Sequence, residues 1–277
     1  MAITVAVYSM KGGVGKSTIA VNLAYCSAVQ SRRRTLLWDI DAQGAASFLL
    51  EQERPLSNAS RVFLREVEPS ALAEPTRWPG LDLLAGDVSL GQLEHALTDA
   101  DKPKRLRKLL KSLGPAYDRI ILDCPPGLGE VSDQIFRAAD LIVVPVPPTP
   151  LALRSLVQVE EHLVSNHQRR PQLLPVITMV DRRKSLHREF VAAHPEWPVI
   201  PHASIIERMA TERAPVAAYA GSSPGAKAID ALWKAVERRL AAVPQTEQKS
   251  AAKIAKPADG AKMVRIPRVT RRSVPGG

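Results

Sequence analysis

Eight consecutive residues, Lys11-Gly12-Gly13-Val14-Gly15-Lys16-Ser17-Thr18, combine the side chains and backbone freedom that can hold a polyphosphate. Glycines let successive backbone N–H groups turn toward phosphate oxygens, and a helix that starts there adds the positive end of its dipole. The Lys16 ammonium can reach the terminal phosphates and the Ser17 hydroxyl can ligate magnesium. The run is flanked by an apolar stretch with strand character, Ile3 to Tyr8, and by a helical pattern, Lys16 to Gln30. This context reads as a nucleoside triphosphate cradle. A dinucleotide-binding turn matches only partly, because it needs a third glycine where Thr18 stands and has little use for a lysine aimed at the pyrophosphate. The strict phosphate-loop pattern places a glycine at position 10, where this chain has Met10 followed by a second lysine, Lys11.

Two acidic runs lie downstream. Leu37-Trp38-Asp39-Ile40-Asp41-Ala42-Gln43-Gly44 ends an apolar run, and ligands of open α/β folds bind at the carboxyl edge of the sheet. If the strand continues through them, Asp39 and Asp41 share a face, so one can steady the site while the other orients water or magnesium-bound water. Arg119-Ile120-Ile121-Leu122-Asp123-Cys124-Pro125-Pro126-Gly127 is an apolar strand ending in an acid and a turn. An aspartate there can hold magnesium through water, and the Pro-Pro-Gly segment can sense the terminal phosphate.

These motifs need elements to position them. Strands are expected near Ile3 to Tyr8, Thr35 to Asp39, Leu81 to Leu84, Arg119 to Asp123, Leu141 to Pro145 and Leu174 to Met179. Helical periodicity covers Lys16 to Gln30, Lys102 to Leu113, Leu151 to Asn166 and Ala226 to Ala242. The alternation predicts an α/β fold: a doubly wound, mostly parallel sheet with helices on both faces. Four prolines between 51 and 80 predict loops and short helices there. The domain is expected to span 1–244. After Val243 the chain turns to Ala, Lys, Pro and Gly with few large apolar side chains, so 245–277 reads as a disordered basic tail.

The 277 residues suffice for one substantial core, and an aromatic content of 4% makes that core mostly aliphatic. Cys26 and Cys124 are too few for a disulfide framework and read as packing residues in a reducing cytoplasm. The six histidines show no metal-like spacing in this reading. No apolar run approaches the roughly 18 to 20 residues that cross a bilayer. The formal charge of +10 favours a polyanionic partner. Residues 245–277 carry eight Lys or Arg against Glu247 and Asp259, so more than half of the excess sits there.

With a second lysine opening the loop, the sequence resembles the ParA/MinD family of deviant phosphate-loop ATPases. The resemblance implies that Lys11 reaches the nucleotide bound by a partner subunit, that ATP and Mg2+ are the cofactors, and that the molecule is a homodimer when ATP is bound. The run at Asp39 is similar to the family's D-x-D-P-Q-G, which gives Asp41 the role in hydrolysis; Ala42 stands where the family has proline. Asp123 to Gly127 is similar to the D-x-P-P-G switch, and Val144 to Leu153 resembles the family's proline-bearing loop before a long helix. Iron–sulfur relatives need cluster-ligating cysteines, which two separated thiols do not supply.

ParA-type members bind DNA non-specifically as ATP-bound dimers, so the resemblance implies a nucleoid-associated positioning or segregating ATPase stimulated by a ParB-like adaptor. Candidate phosphate contacts are Arg182, Arg183, Lys184, Arg188 and Arg208, with Arg213 nearby. The stretch Ile200 to Ser204 departs from many chromosomal members in lacking arginines after Ile-Pro. Two alternatives are a MinD-like membrane ATPase and a non-hydrolysing scaffold. Pro267 and Pro275 interrupt any basic amphipathic helix in the tail, which argues against a membrane partner.

Overall fold

In the computed structural model of the chain, residues 2–51, 59–64, 66–93, 104–167 and 170–242 are described. Their apolar runs form eight strands of one sheet: β1 Ile3–Val7, β2 Thr35–Asp39, β3 Glu74–Pro75, β4 Leu81–Leu84, β5 Arg119–Asp123, β6 Leu141–Val146, β7 Gln172–Val180 and β8 Val199–Pro201. The order across the sheet is β3-β4-β2-β5-β1-β6-β7-β8. Only β3 and β4 pair antiparallel. This is the phosphate-loop NTPase arrangement of a mostly parallel sheet between helices.

Both faces of the sheet are covered, which is why β2, β5 and β6 are buried at every residue instead of alternating. Val5 and Val7 pack with the Lys16–Tyr25 and Pro224–Ala241 helices through Ile19, Leu23, Trp233 and Val236. Ala6 and Tyr8 point the other way, toward the Arg105–Leu113, Glu130–Ala138 and Pro150–Asn166 helices.

The added strands β3 and β8 hold two and three residues, too short for a period-2 pattern to register. Helices are expected to fill the gaps between strands, but the Glu130–Ala138 and Ser185–Ala193 helices are not delimited by the sequence pattern. The first follows a glycine-rich loop without a break, and the second has no fully buried residue to mark a core-facing stripe. The first long helix is α-helical to Tyr25 and finishes as a π turn, Cys26–Gln30. Between 51 and 80 the described residues hold the short helices Ala59–Leu64 and Pro69–Leu72. A compact unit spans Met1–Ala242. The expected tail, 245–277, lies outside the described residues, among which no helix is long and apolar enough to cross a membrane.

Register decides what meets at the carboxyl edge. Asp123 of β5 is the pairing partner of Val7 on one side and of Asp39 on the other. The phosphate-loop run and both acidic motifs therefore leave the sheet side by side from its three central strands.

Candidate functional site

The chain leaves β1 through Tyr8 and Ser9 and turns in the glycine run before the Lys16–Tyr25 helix. Gly13 and Gly15 have φ of 69° and 92°, left-handed values that L side chains rarely adopt, and Gly15 is the residue that opens the helix. A Cβ at Gly12, Gly13 or Gly15 would meet no protein atom within 4 Å. The loop therefore presents bare backbone to open space, the form a phosphate can approach. Val14 is buried and anchors the loop, and Thr18 lies in the first helical turn, its carbonyl accepting from Asn22 at 2.7 Å. Lys16 is buried beneath the loop, its Nζ 3.4 Å from the Lys11 carbonyl oxygen. The Lys11 ammonium has no ion pair among the described residues.

Asp123 is fully buried, and neither carboxylate oxygen has a hydrogen-bond partner. Burial, with the negative charge of Asp39 beside it, pushes its carboxyl well above the usual range, against the opposing pull of the Ser17 hydroxyl and the Lys16 ammonium. A buried carboxylate left orphaned, with a hydroxyl and an ammonium facing it, is the donor set that a hard cation would complete.

Asp39 is equally buried but saturated. One oxygen accepts from the Asp41 amide at 3.1 Å, the other from the Ser47 amide at 3.0 Å and the Ser47 hydroxyl at 2.8 Å. Burial still raises its carboxyl above the usual range. Asp39 thus clamps both ends of the turn that carries Asp41. The strand stops at Asp39, so Asp41 does not continue a strand face as the sequence pattern allowed. It sits half-exposed in an Asx turn, its Oδ1 accepting from the Gln43 amide at 3.0 Å. The Gly44 amide donates to the Asp41 carbonyl at 3.0 Å, so hydrogen bonds fix the turn where Ala42 provides no proline ring.

Sequence reasoning missed Gly86. A Cβ there would lie 2.7 Å from the Asp41 carbonyl oxygen and 2.9 Å from that of Asp39, so only glycine lets this backbone close over the acidic turn. Its amide donates to Ser47 Oγ at 3.0 Å. A glycine two residues past β4 marks a turn in the sequence, but not the carbonyls that the turn closes against. Tyr8 was missed as well. Its hydroxyl donates to the Gly127 carbonyl at 2.7 Å while the Gly127 amide donates to the Met10 carbonyl at 3.2 Å, which ties the Pro-Pro-Gly segment to the loop.

Beyond β6 and β7 a cleft of about 470 Å³ is lined by Pro147, Pro148, Thr149, Met179, Asp181 and His202, among others. Arg183 and Lys184 line it as well. The candidate DNA contacts divide here. Arg183 pairs with Asp181 at 2.9 Å, Arg208 pairs with Glu212, and Arg188 donates to the carbonyls of Arg182 and Arg183 at 2.9 and 3.0 Å. Arg182 and Lys184 are exposed and carry no ion pair among the described residues. Arg213 donates to the Phe48 carbonyl at 3.1 Å. The histidine expectation is corrected: His162 and His167 converge on Asp133, and their H-x4-H spacing was a legible signal.

Residues 2–174 match the model of an AAA domain family, AAA_31. The chromosome partitioning protein ParA of Myxococcus xanthus is 36% identical over 157 residues, 56% of this chain and 55% of that protein, so the chain spans about half of its length. The chromosome-partitioning ATPase Soj of Thermus thermophilus is 33% identical over 250 residues, 85% of this chain and 96% of that protein. Among solved structures, a cobyrinic acid a,c-diamide synthase from Mycobacterium smegmatis with bound ADP and magnesium superposes with a TM-score of 0.71 at 28% identity, covering 87% of this chain and 96% of that one. Two lysines in one glycine loop, the acidic turn and the D-x-P-P-G segment thus meet at one sheet edge in a chain with these relatives, and the chain belongs to the ParA/MinD family of deviant phosphate-loop ATPases.

Proposed function

We propose that this chain is an ATP-switched partition-type ATPase that positions or segregates a cargo by binding DNA without sequence preference. The observation that carries the reading is Asp123, a buried carboxylate with no partner, set between the phosphate loop and the Asp39–Asp41 turn and facing Ser17 and Lys16. The backbone of Gly12 to Thr18 would cradle the phosphates, Ser17 and Asp123 would hold Mg2+, and the cleft beside Pro147 has room for the nucleoside. The cation supplies charge neutralisation on the phosphates when bound. Lys16 stabilises charge on the terminal phosphate, Asp41 orients the attacking water, and Asp39 holds Asp41 in place without touching that water.

Lys11 completes the neighbouring protomer's pocket, so ATP occupancy and pairing are one event; hydrolysis returns the pair to monomers. The homodimer exposes Arg182 and Lys184 to DNA, with Arg183, Arg188 and Arg208 able to exchange their present partners for phosphate oxygens. Residues 1–244 form the ATPase domain, and the basic tail, 245–277, adds electrostatic affinity. A ParB-like adaptor stimulates turnover, and the protein is cytoplasmic and associated with the nucleoid. Phosphate release from ATP, measured with and without duplex DNA, tests the reading: a slow rate lost in Asp41→Ala supports it. No release under either condition contradicts hydrolysis and favours a nucleotide-binding scaffold.

A further inference from the structure

We propose that Asp133, His162 and His167 form a structural site for a divalent transition-metal ion, zinc by the chemistry of its ligands. His162 Nε2 lies 2.5 Å and His167 Nε2 3.1 Å from the same oxygen, Asp133 Oδ1, and the three ligand atoms all lie within 4.8 Å of one another. Two imidazoles and a carboxylate suit zinc. Metal–ligand distances of about 2.0 to 2.1 Å at tetrahedral angles need ligand atoms about 3.3 Å apart. His162 must therefore move about 1 Å away from Asp133 Oδ1, and the two imidazole nitrogens, within 4.8 Å of each other, must settle at the same spacing; its position at the rim, with 20% of its side chain exposed, gives His162 that freedom.

The surroundings are those of a built site. The His167 side chain is 1% exposed, which fixes one ligand rigidly, while half-buried Asp133 and His162 leave a solvent side for a fourth, water ligand. The Asn166 side-chain amide lies 3.2 Å from His162 Nδ1 and holds the ring with Nε2 pointing inward; by rotating, that amide can donate or accept as the ring requires. Arg137 approaches the other carboxylate oxygen, Asp133 Oδ2, at 3.6 Å and leaves Oδ1 to the cation. The Phe136 ring stands edge-on to both imidazoles, at 6.0 and 5.8 Å, as an apolar wall.

The ion would staple the Glu130–Ala138 helix to the Pro150–Asn166 helix. Both begin at the nucleotide edge, one after the Pro-Pro-Gly segment and the other at the Thr149 cap. Phe136 also packs edge-on against Tyr8 at 4.9 Å, and the Tyr8 hydroxyl holds the Gly127 carbonyl. Metal occupancy thereby stiffens the support of the phosphate-sensing segment without touching nucleotide.

The full chain, stripped with chelator and free of nucleotide, is titrated with Co2+ and with Zn2+. The site requires one Co2+ per chain with the visible absorption of a four-coordinate centre, and Zn2+ at about 100 times its Kd raises Tm by roughly 5 to 10 °C. His162→Gln and His167→Gln should each abolish the band and weaken Zn2+ by more than the roughly 10- to 100-fold that loss of an outer partner costs. His162 is at the rim, so its variant keeps the test valid if the buried His167 variant does not fold. Absence of saturable uptake, which would make the cluster a proton-sharing one only, overturns the proposal. Uptake that His162→Gln leaves unchanged overturns it too, because the metal then sits elsewhere.

Discussion

Asp123 is costly to the chain on its own, and under the proposed function a cation offsets that cost, an asymmetry that can be measured. A buried carboxyl with a raised pKa binds its proton more tightly in the folded chain than in the unfolded one. The Asp39–Asp123 pair therefore contributes stability that is complete below the ordinary carboxylate range and is lost as pH rises through the raised folded-state values. In thermal melts without nucleotide, Tm should fall as pH rises from about 5 to neutrality, by a smaller amount in Asp123→Asn. The same substitution should raise Tm at neutral pH by roughly 2 to 8 °C, for relief of about 1 to 2 kcal/mol, while removing the Mg2+-dependent part of ATP stabilisation. An unchanged ATP–Mg2+ shift in Asp123→Asn would show that this carboxylate holds no cation.

The elements around the site are held by contacts that can be removed singly. Gly86→Ala drives a Cβ into two backbone carbonyls, a clash with no flexible side chain to absorb it. It should cost about 1 to 3 kcal/mol in denaturant melts and slow phosphate release more than it weakens nucleotide binding, because the turn carrying Asp41 must move. Tyr8→Phe removes one hydrogen bond and should cost about 0.5 to 1.5 kcal/mol, with faster amide exchange at Gly127 and neighbouring residues as the local readout. At this level the sequence was readable where side chains are buried on both sides. β2, β4 and β5 begin and end where the apolar runs do, and the glycine loop falls between strand and helix as its composition implies. What was not readable depends on distant partners. Gly86 is required by carbonyls more than forty residues earlier in the chain, and Asp133 and His167 are brought together by two helices packed on one face. Asp41 leaves the strand for a different reason, a local one: the Asp39 side chain two residues earlier captures its amide, a bond that period-2 reasoning does not contain.

For the whole molecule, the proposed function rests on charge and on pairing. With a net charge of +10, duplex DNA binding should weaken steeply with salt, and Arg182→Ala, outside the nucleoside cleft, should lower the slope of log K against log salt by roughly 1 without changing sequence preference. An unaltered slope would move the DNA face away from the start of the Ser185–Ala193 helix. At the opposite end of the sheet, Glu237 bridges Arg33 at 2.5 Å and buried Arg119 at 3.1 Å beneath the Trp233 ring. Glu237→Ala leaves the Arg119 guanidinium without its carboxylate and should cost about 2 kcal/mol, discounted for the partial exposure of Glu237, with no change in nucleotide affinity. Nucleotide-driven pairing is tested most directly by sedimentation of the wild-type chain and Lys11→Ala with Mg2+ and a slowly hydrolysed ATP analogue. The wild type should sediment as a dimer only when the analogue is bound, and Lys11→Ala should bind the analogue yet remain a monomer. A wild type that stays monomeric at saturation, or a Lys11→Ala chain that pairs as readily, would mean that Lys11 does not act across an interface.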